Sequence, residues 1–133
     1  MKTDEAIKTD IYKVINGSAL AKAITGKLSK RKRPHASKNE DIVISVLANS
    51  NRQVQVATVN VNIYVADITV DNQPEEDTVR IEQLSQLAYN LFKVFWGPNS
   101  EYRCCLTEQR VYEAEGSNEH IINNRIEYKT LNE

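Results

Sequence analysis

A chain of 133 residues suffices for one hydrophobic core but divides poorly into two, so residues 1–133 are expected to form a single domain. Hydrophobic residues make up 41% and charged residues 26%, and no apolar run reaches the length of about 18 that a membrane-spanning helix needs. The formal net charge of −1 excludes a protein that is basic throughout.

The first ten residues, MKTDEAIKTD, alternate in charge and lack the apolar stretch of an export signal. The chain is therefore expected to be made and kept in a cytoplasm with its thiols reduced, and the sequon-like Asn16-Gly17-Ser18 is expected to be irrelevant. From Asp4 to about Asn16, Ile7, Ile11, Val14 and Ile15 recur at helical spacing, with Thr3 or Asp4 as cap and Asn16-Gly17 as the stop. Ser18 opens a second, short helix that ends at Gly26.

Lys27 to Lys38, KLSKRKRPHASK, holds six Lys or Arg and one apolar residue other than Pro and Ala, Leu28. Such a segment suits a charged edge strand that Pro34 terminates, because lysines and arginines on an edge discourage pairing with stray chains. The stretch from Glu40 to Ala48, apolar on both parities, reads as a central strand. QVQVATVNVNIYVADI, residues 53–68, is the clearest strand of all. Val54 and Val56 share one parity and Val59, Val61, Ile63 and Val65 the other, which predicts a bulge or bend near Ala57-Thr58. Asn60, Asn62 and Tyr64 then face solvent or a neighbouring subunit.

An acidic turn follows, with Asp71, Glu75, Glu76 and Asp77 around Pro74. Residues 75–97 read as one long helix over the sheet, with Leu84, Leu87, Ala88, Leu91, Phe92, Val94 and Phe95 as its core stripe and Gly97-Pro98 as its end. Trp96 is expected to anchor the core edge. The last third reads as two strands joined by a turn around Gly116-Ser117-Asn118. The expected fold is α+β: a four- or five-stranded, mostly antiparallel sheet covered on one face by a long helix plus an N-terminal helix.

Signals of chemistry are sparse. His35 and His120 share no metal-ligand spacing with Cys104, Cys105 or the carboxylates, and both are expected on the surface. Pairing Cys105 with a histidine as nucleophile and base has no supporting constellation, and the adjacent cysteines point to opposite faces of a strand. The four glycines fall at element ends, none in a phosphate loop. No cofactor, metal or catalytic activity is expected. The KRKRP string matches a nuclear-import pattern of a kind that arises by chance. The 27–38 stretch would grip nucleic acid through backbone phosphates alone, since no aromatic side chain is interleaved for stacking.

The order of elements, together with ITGKLSKRKRP, NEDIVISVLA, VNVNIYVADI and RIEQLSQLAYNLF, resembles the tail-completion or tail-terminator (head–tail joining) proteins of long-tailed bacteriophages and prophages. The resemblance runs from about Ile7 to Tyr128. It implies a non-enzymatic virion structural protein, made in the bacterial host cytoplasm. Such subunits form homo-oligomeric rings, typically hexamers, that join tail tube to head connector while DNA passes through. Lys30, Arg31, Lys32 and Arg33 are more basic than that pattern requires. Three roles stand open for them: lining the channel beside DNA, meeting the neighbour's Asp71–Asp77 turn, or forming a solvated edge. The candidate subunit or partner contacts are Lys30, Arg31, Lys32, Arg33, Asn60, Asn62, Tyr64, Asp71, Glu75, Glu76 and Asp77. The alternative is a small nucleic-acid-associated protein that uses residues 27–38 as an electrostatic arm.

Overall fold

The structure, a computed structural model, describes residues 1–132. Helix α1 spans Asp4–Ile15, capped by the Thr3 hydroxyl on the Ala6 N–H, and α2 spans Ala19–Ala23, capped by Ser18 on Ala21. Strands β1 (Leu28–Ser29), β2 (Ile42–Ser50) and β3 (Val54–Ala66) follow, then a small pair, β4 (Ile68–Val70) and β5 (Gln73–Glu75). Helix α3 (Thr78–Phe92) leads to β6 (Val94–Trp96), a 3-10 turn at Pro98–Ser100, and the strands β7 (Tyr102–Ala114) and β8 (Glu119–Leu131).

The expected four- or five-stranded sheet under one long helix is not what forms. Six strands make a curled, mixed sheet, a half-barrel in the order β1-β2-β3-β8-β7-β6, and β4 and β5 make a second sheet of their own. Two causes account for the difference. The helical stripe ends at Phe92, because β-branched Val94 and the aromatics Phe95 and Trp96 leave the helix and pair antiparallel with Cys105, Cys104 and Arg103. Leu28-Ser29 adds a two-residue parallel rung against Ile42-Val43, too short to carry a period of its own.

The 13-residue strands β3, β7 and β8 curl with the help of two bulges, at Leu47 in β2 and at Thr107 in β7. An extra residue on one strand bends it and raises its twist. No slip occurs in β3 at Ala57-Thr58: the strand alternates without a break, so Val54 and Val56 lie on the outer face and Gln55 points inward. The buried Gln55 carboxamide accepts the Lys2 N–H at 2.9 Å and donates to the Lys2 carbonyl at 2.7 Å, an inward amide that moors the N-terminal segment. Strand β2 is central only at its start, because β1 covers no residue past Val43.

The core lies between the sheet and the helices. Ile7, Ile11 and Ile15 of α1 and Ile81, Leu84, Ala88 and Phe92 of α3 bury against Val59, Val61, Ile63, Ile122, Ile126 and Tyr128. Each fully buried Ile or Leu contributes about 1.5–3 kcal/mol. One polar chain crosses this interior: Gln109 donates to the Ser85 carbonyl (3.1 Å) and to buried Asn124 (2.8 Å), which in turn donates to the Val61 carbonyl. It fixes α3 against β7, β8 and β3.

Candidate functional site

The basic stretch is folded back on its own subunit. Arg33 donates from Nε to Asp41 (2.9 Å), from Nη1 and Nη2 to Glu119 (2.9 and 2.8 Å), and from Nη2 to the Asn39 carbonyl (2.8 Å). Asp41 and Glu119 are each 1% exposed. Burial alone would raise the Asp41 carboxyl, but hydrogen bonds from the Ser37 hydroxyl, the Lys27 N–H and Arg33 hold it below the usual carboxylate range. Burial likewise opposes the Arg33 charge, and its two carboxylate partners outweigh that, leaving the guanidinium more firmly protonated than usual. Gly26 is part of this geometry, since a side chain there would run into the Asp41 carboxylate and the Glu40 carbonyl. Close approach, rather than turn chemistry, requires that glycine.

The remaining cations divide. Lys30 donates to the Thr9 hydroxyl (3.1 Å) above the Tyr12 ring, and its carbonyl accepts from Lys8. Arg31 and Lys32 are exposed, and among the described residues no carboxylate lies within ion-pair distance of either. Thus Arg33 and Lys30 are committed inside the subunit while Arg31 and Lys32 face outward.

Tyr64 is only half-exposed because the Arg33 guanidinium stacks on its ring at 4.1 Å. Burial raises its phenol pKa, with Arg33 pulling the other way. Asn60 and Asn62 sit on the outer face of the sheet as expected, yet Asn123 of β8 donates to Asn62 at 2.7 Å and approaches Asn60 at 3.4 Å. With Glu108, Arg110, Tyr112 and Arg125 they line a polar hollow of ≈350 Å3. His120, expected on the surface, is mostly covered and its Nδ1 lies 2.6 Å from Asp67.

The acidic segment behaves differently. Asp71 and Asn72, at φ 51° and 64°, form the two-residue turn of the β4–β5 hairpin, and every residue of both strands is exposed. Ile68 and Val70 thus present apolar side chains to solvent beside Asp71 and Glu75. Glu76 is half-buried and Asp77 caps α3 through the Arg80 N–H. Arg80 also grips Glu40 (2.6 and 2.7 Å) and the Ala23 carbonyl (2.6 Å), so the hairpin's return is anchored while its tip is not.

Both charged segments stand at one end of the sheet. Arg33 bonds Glu119, Lys38 reaches the Ser117 carbonyl, and Asp67, at the hairpin base, donates its N–H to the Asn118 carbonyl. At the other end, where β3 begins and β8 ends, a groove of ≈530 Å3 is walled by Val54, Trp96 and Leu131, with Lys2, Glu101, Arg103 and Lys129 along it. Trp96 is 57% and Leu131 73% exposed, so Trp96 covers less core than its sequence position suggested. Its ring lies beneath Arg103 at 5.6 Å. Stacked Tyr102 and Tyr128 border this end, and Tyr128 donates its hydroxyl to Asp10 (2.7 Å), which Lys2 also holds (2.7 Å).

Among the described residues, no three His, Cys, Asp or Glu side chains are grouped to hold a metal ion, and no helix is long and apolar enough to cross a membrane. Cys104 is buried, and that burial pushes its thiol far above the range of a reactive cysteine. No protein-family model matches the chain, and a search of curated proteins found no match.

Sequence reasoning missed the hairpin, the groove and the Arg33 cluster. The hairpin had a local signal in Asp71-Asn72 between ITV and QPE, since Asp and Asn are among the residues that tolerate paired positive φ. The Arg33–Glu119 pairing spans 86 positions and had none.

Proposed function

We propose that the chain is a non-enzymatic structural subunit that assembles with copies of itself into a ring, acting as a tail-completion or head–tail joining protein of a phage or prophage. The observation that carries this reading is the exposed β4–β5 hairpin. A two-stranded hairpin is marginal on its own in water, and this one exposes both of its strands to solvent. A segment so built gains its stability by packing on another molecule. The long outer face of β3 and β8, polar and hydrogen-bonded across strands, supports the same reading, because it is ordered without being covered.

A second reading rests on one specific observation, the outward-facing Arg31 and Lys32 beside Lys27 and Lys38. These are the cations left to an arm that holds phosphates, and the commitment of Arg33 and Lys30 shortens it. Light scattering after size exclusion, at about 50 mM and about 500 mM salt with and without a short duplex, separates the two. A defined oligomer indifferent to DNA is expected. A monomer that gains mass only with DNA and loses it in high salt overturns the ring in favour of the arm.

A further inference from the structure

We infer that the β4–β5 hairpin of one copy docks in the Trp96 groove of the next, and this inference rests on the self-assembling reading above. The basic loop, the obvious counterpart of the acidic hairpin, stands at the hairpin's own end of the sheet, and its Arg33 and Lys30 are already bound within the subunit. The groove lies at the other end of strands of 13 residues, up to roughly 40 Å away at about 3.3 Å per residue. Hairpin and groove are thus unlike surfaces placed for head-to-tail contact.

The chemistry of the two surfaces is complementary. The hairpin offers Ile68 and Val70 between Asp71 and Glu75; the groove offers Val54, Trp96 and Leu131 between Lys2, Arg103 and Lys129. Apolar side chains meet apolar walls; Lys2 is held by Asp10 (2.7 Å) and Lys129 by Glu127 (3.3 Å), so Arg103, which has no carboxylate within ion-pair distance among the described residues, is the cation left to meet Asp71 or Glu75. Trp96 has the properties of an interface anchor: a large ring, exposed, held in place by Arg103 and by its strand pairing with β7. Repeated from copy to copy, this contact runs head to tail and closes a ring when the rotation per copy allows.

The test uses the full chain and its oligomeric mass. One variant, I68D/V70D, disables the hairpin; a second, W96D/L131D, disables the groove; all four positions are exposed in the subunit, and thermal unfolding checks that each variant folds. Wild-type chain is expected to form a defined oligomer at up to about 1 mM, and each variant alone to be monomeric. Mixing the two variants is expected to restore a one-to-one dimer and nothing larger, because one intact hairpin and one intact groove remain between them. As a milder pair, E75R and R103E should each weaken assembly and together restore it. A wild-type oligomer that survives both aspartate variants overturns the docking, leaves the groove to a different protein, and leaves the structural-subunit reading standing. A wild-type chain that stays monomeric throughout overturns both.

Discussion

The basic stretch at 27–38 and the acidic one at 71–77 look alike as sequence: short, charged and set between a helix and a strand. In the folded chain they have opposite standing. Two cations of the basic stretch are bound down, Arg33 by two buried carboxylates and an aromatic face and Lys30 by the Thr9 hydroxyl, whereas Asp71 and Glu75 of the acidic one stand on a hairpin whose strands are wholly exposed. A charged side chain is available to a partner only where the subunit has not supplied its counter-charge from a distant strand. Glu119, far along the chain, decides the fate of Arg33.

Removing Arg33 should have the largest effect. Arg33→Ala leaves Asp41 and Glu119 buried without their counter-ion and is expected to destabilise the subunit by about 3–5 kcal/mol in urea unfolding. Arg33→Lys should recover part of this, since an ammonium cannot reproduce the paired contacts to Glu119. A loss under 1 kcal/mol for the alanine variant, about the worth of an exposed pair, would equate the two segments.

Acid provides the next test. Asp41 titrates below its ordinary value of 3.8 in the folded chain, so its contribution is fully present above that value and disappears as pH falls through the lowered one. Stability measured between pH 7 and pH 2 should therefore decline at the acid end, and Asp41→Asn should flatten that decline while lowering stability at pH 7. An unchanged acid limb in the variant counts against the cluster as its source.

Smaller still, Tyr128→Phe removes the hydroxyl bond to Asp10 and should cost about 1.5 kcal/mol, read as a lower urea midpoint at unchanged slope. The least effect on the isolated subunit is expected at the hairpin. Asp71→Asn, which keeps the positive-φ turn, and Glu75→Gln should change subunit stability by no more than about 0.5 kcal/mol, because neither side chain has a hydrogen-bond or ion-pair partner among the described residues. A larger loss would mean that the hairpin packs on its own sheet.

Much of the architecture was legible before folding. The Ile7, Ile11, Ile15 stripe, the Thr3 and Ser18 caps, the long β3 and the closing β7–β8 pair all follow from local period and capping chemistry. What local pattern did not carry was set by neighbours distant in sequence. Val94, Phe95 and Trp96 continue the helical spacing, and become a strand because β7 offers its edge to them. Residues 53–56 suggested a slip, yet Gln55 points inward because the Lys2 backbone meets its carboxamide. For the candidate site, the residue types were foreseen and their partners were not: Arg33, Lys30, Tyr64 and Asn62 each spend their polar groups on segments that no spacing rule connects to them.

The two adjacent thiols of β7 have a practical consequence. Cys104 lies sealed in the core with its thiolate strongly disfavoured, while Cys105, its neighbour on the opposite face, is half-buried where Val94 of β6 pairs beside it. An alkylating reagent reaches the first only when the strand lifts from the helices, and the second far sooner. The ratio of the two labelling rates is a built-in stopwatch for opening of the half-barrel at its β6 edge, read on the unaltered chain by mass spectrometry. Occupying the neighbouring groove at Trp96 should slow that stopwatch.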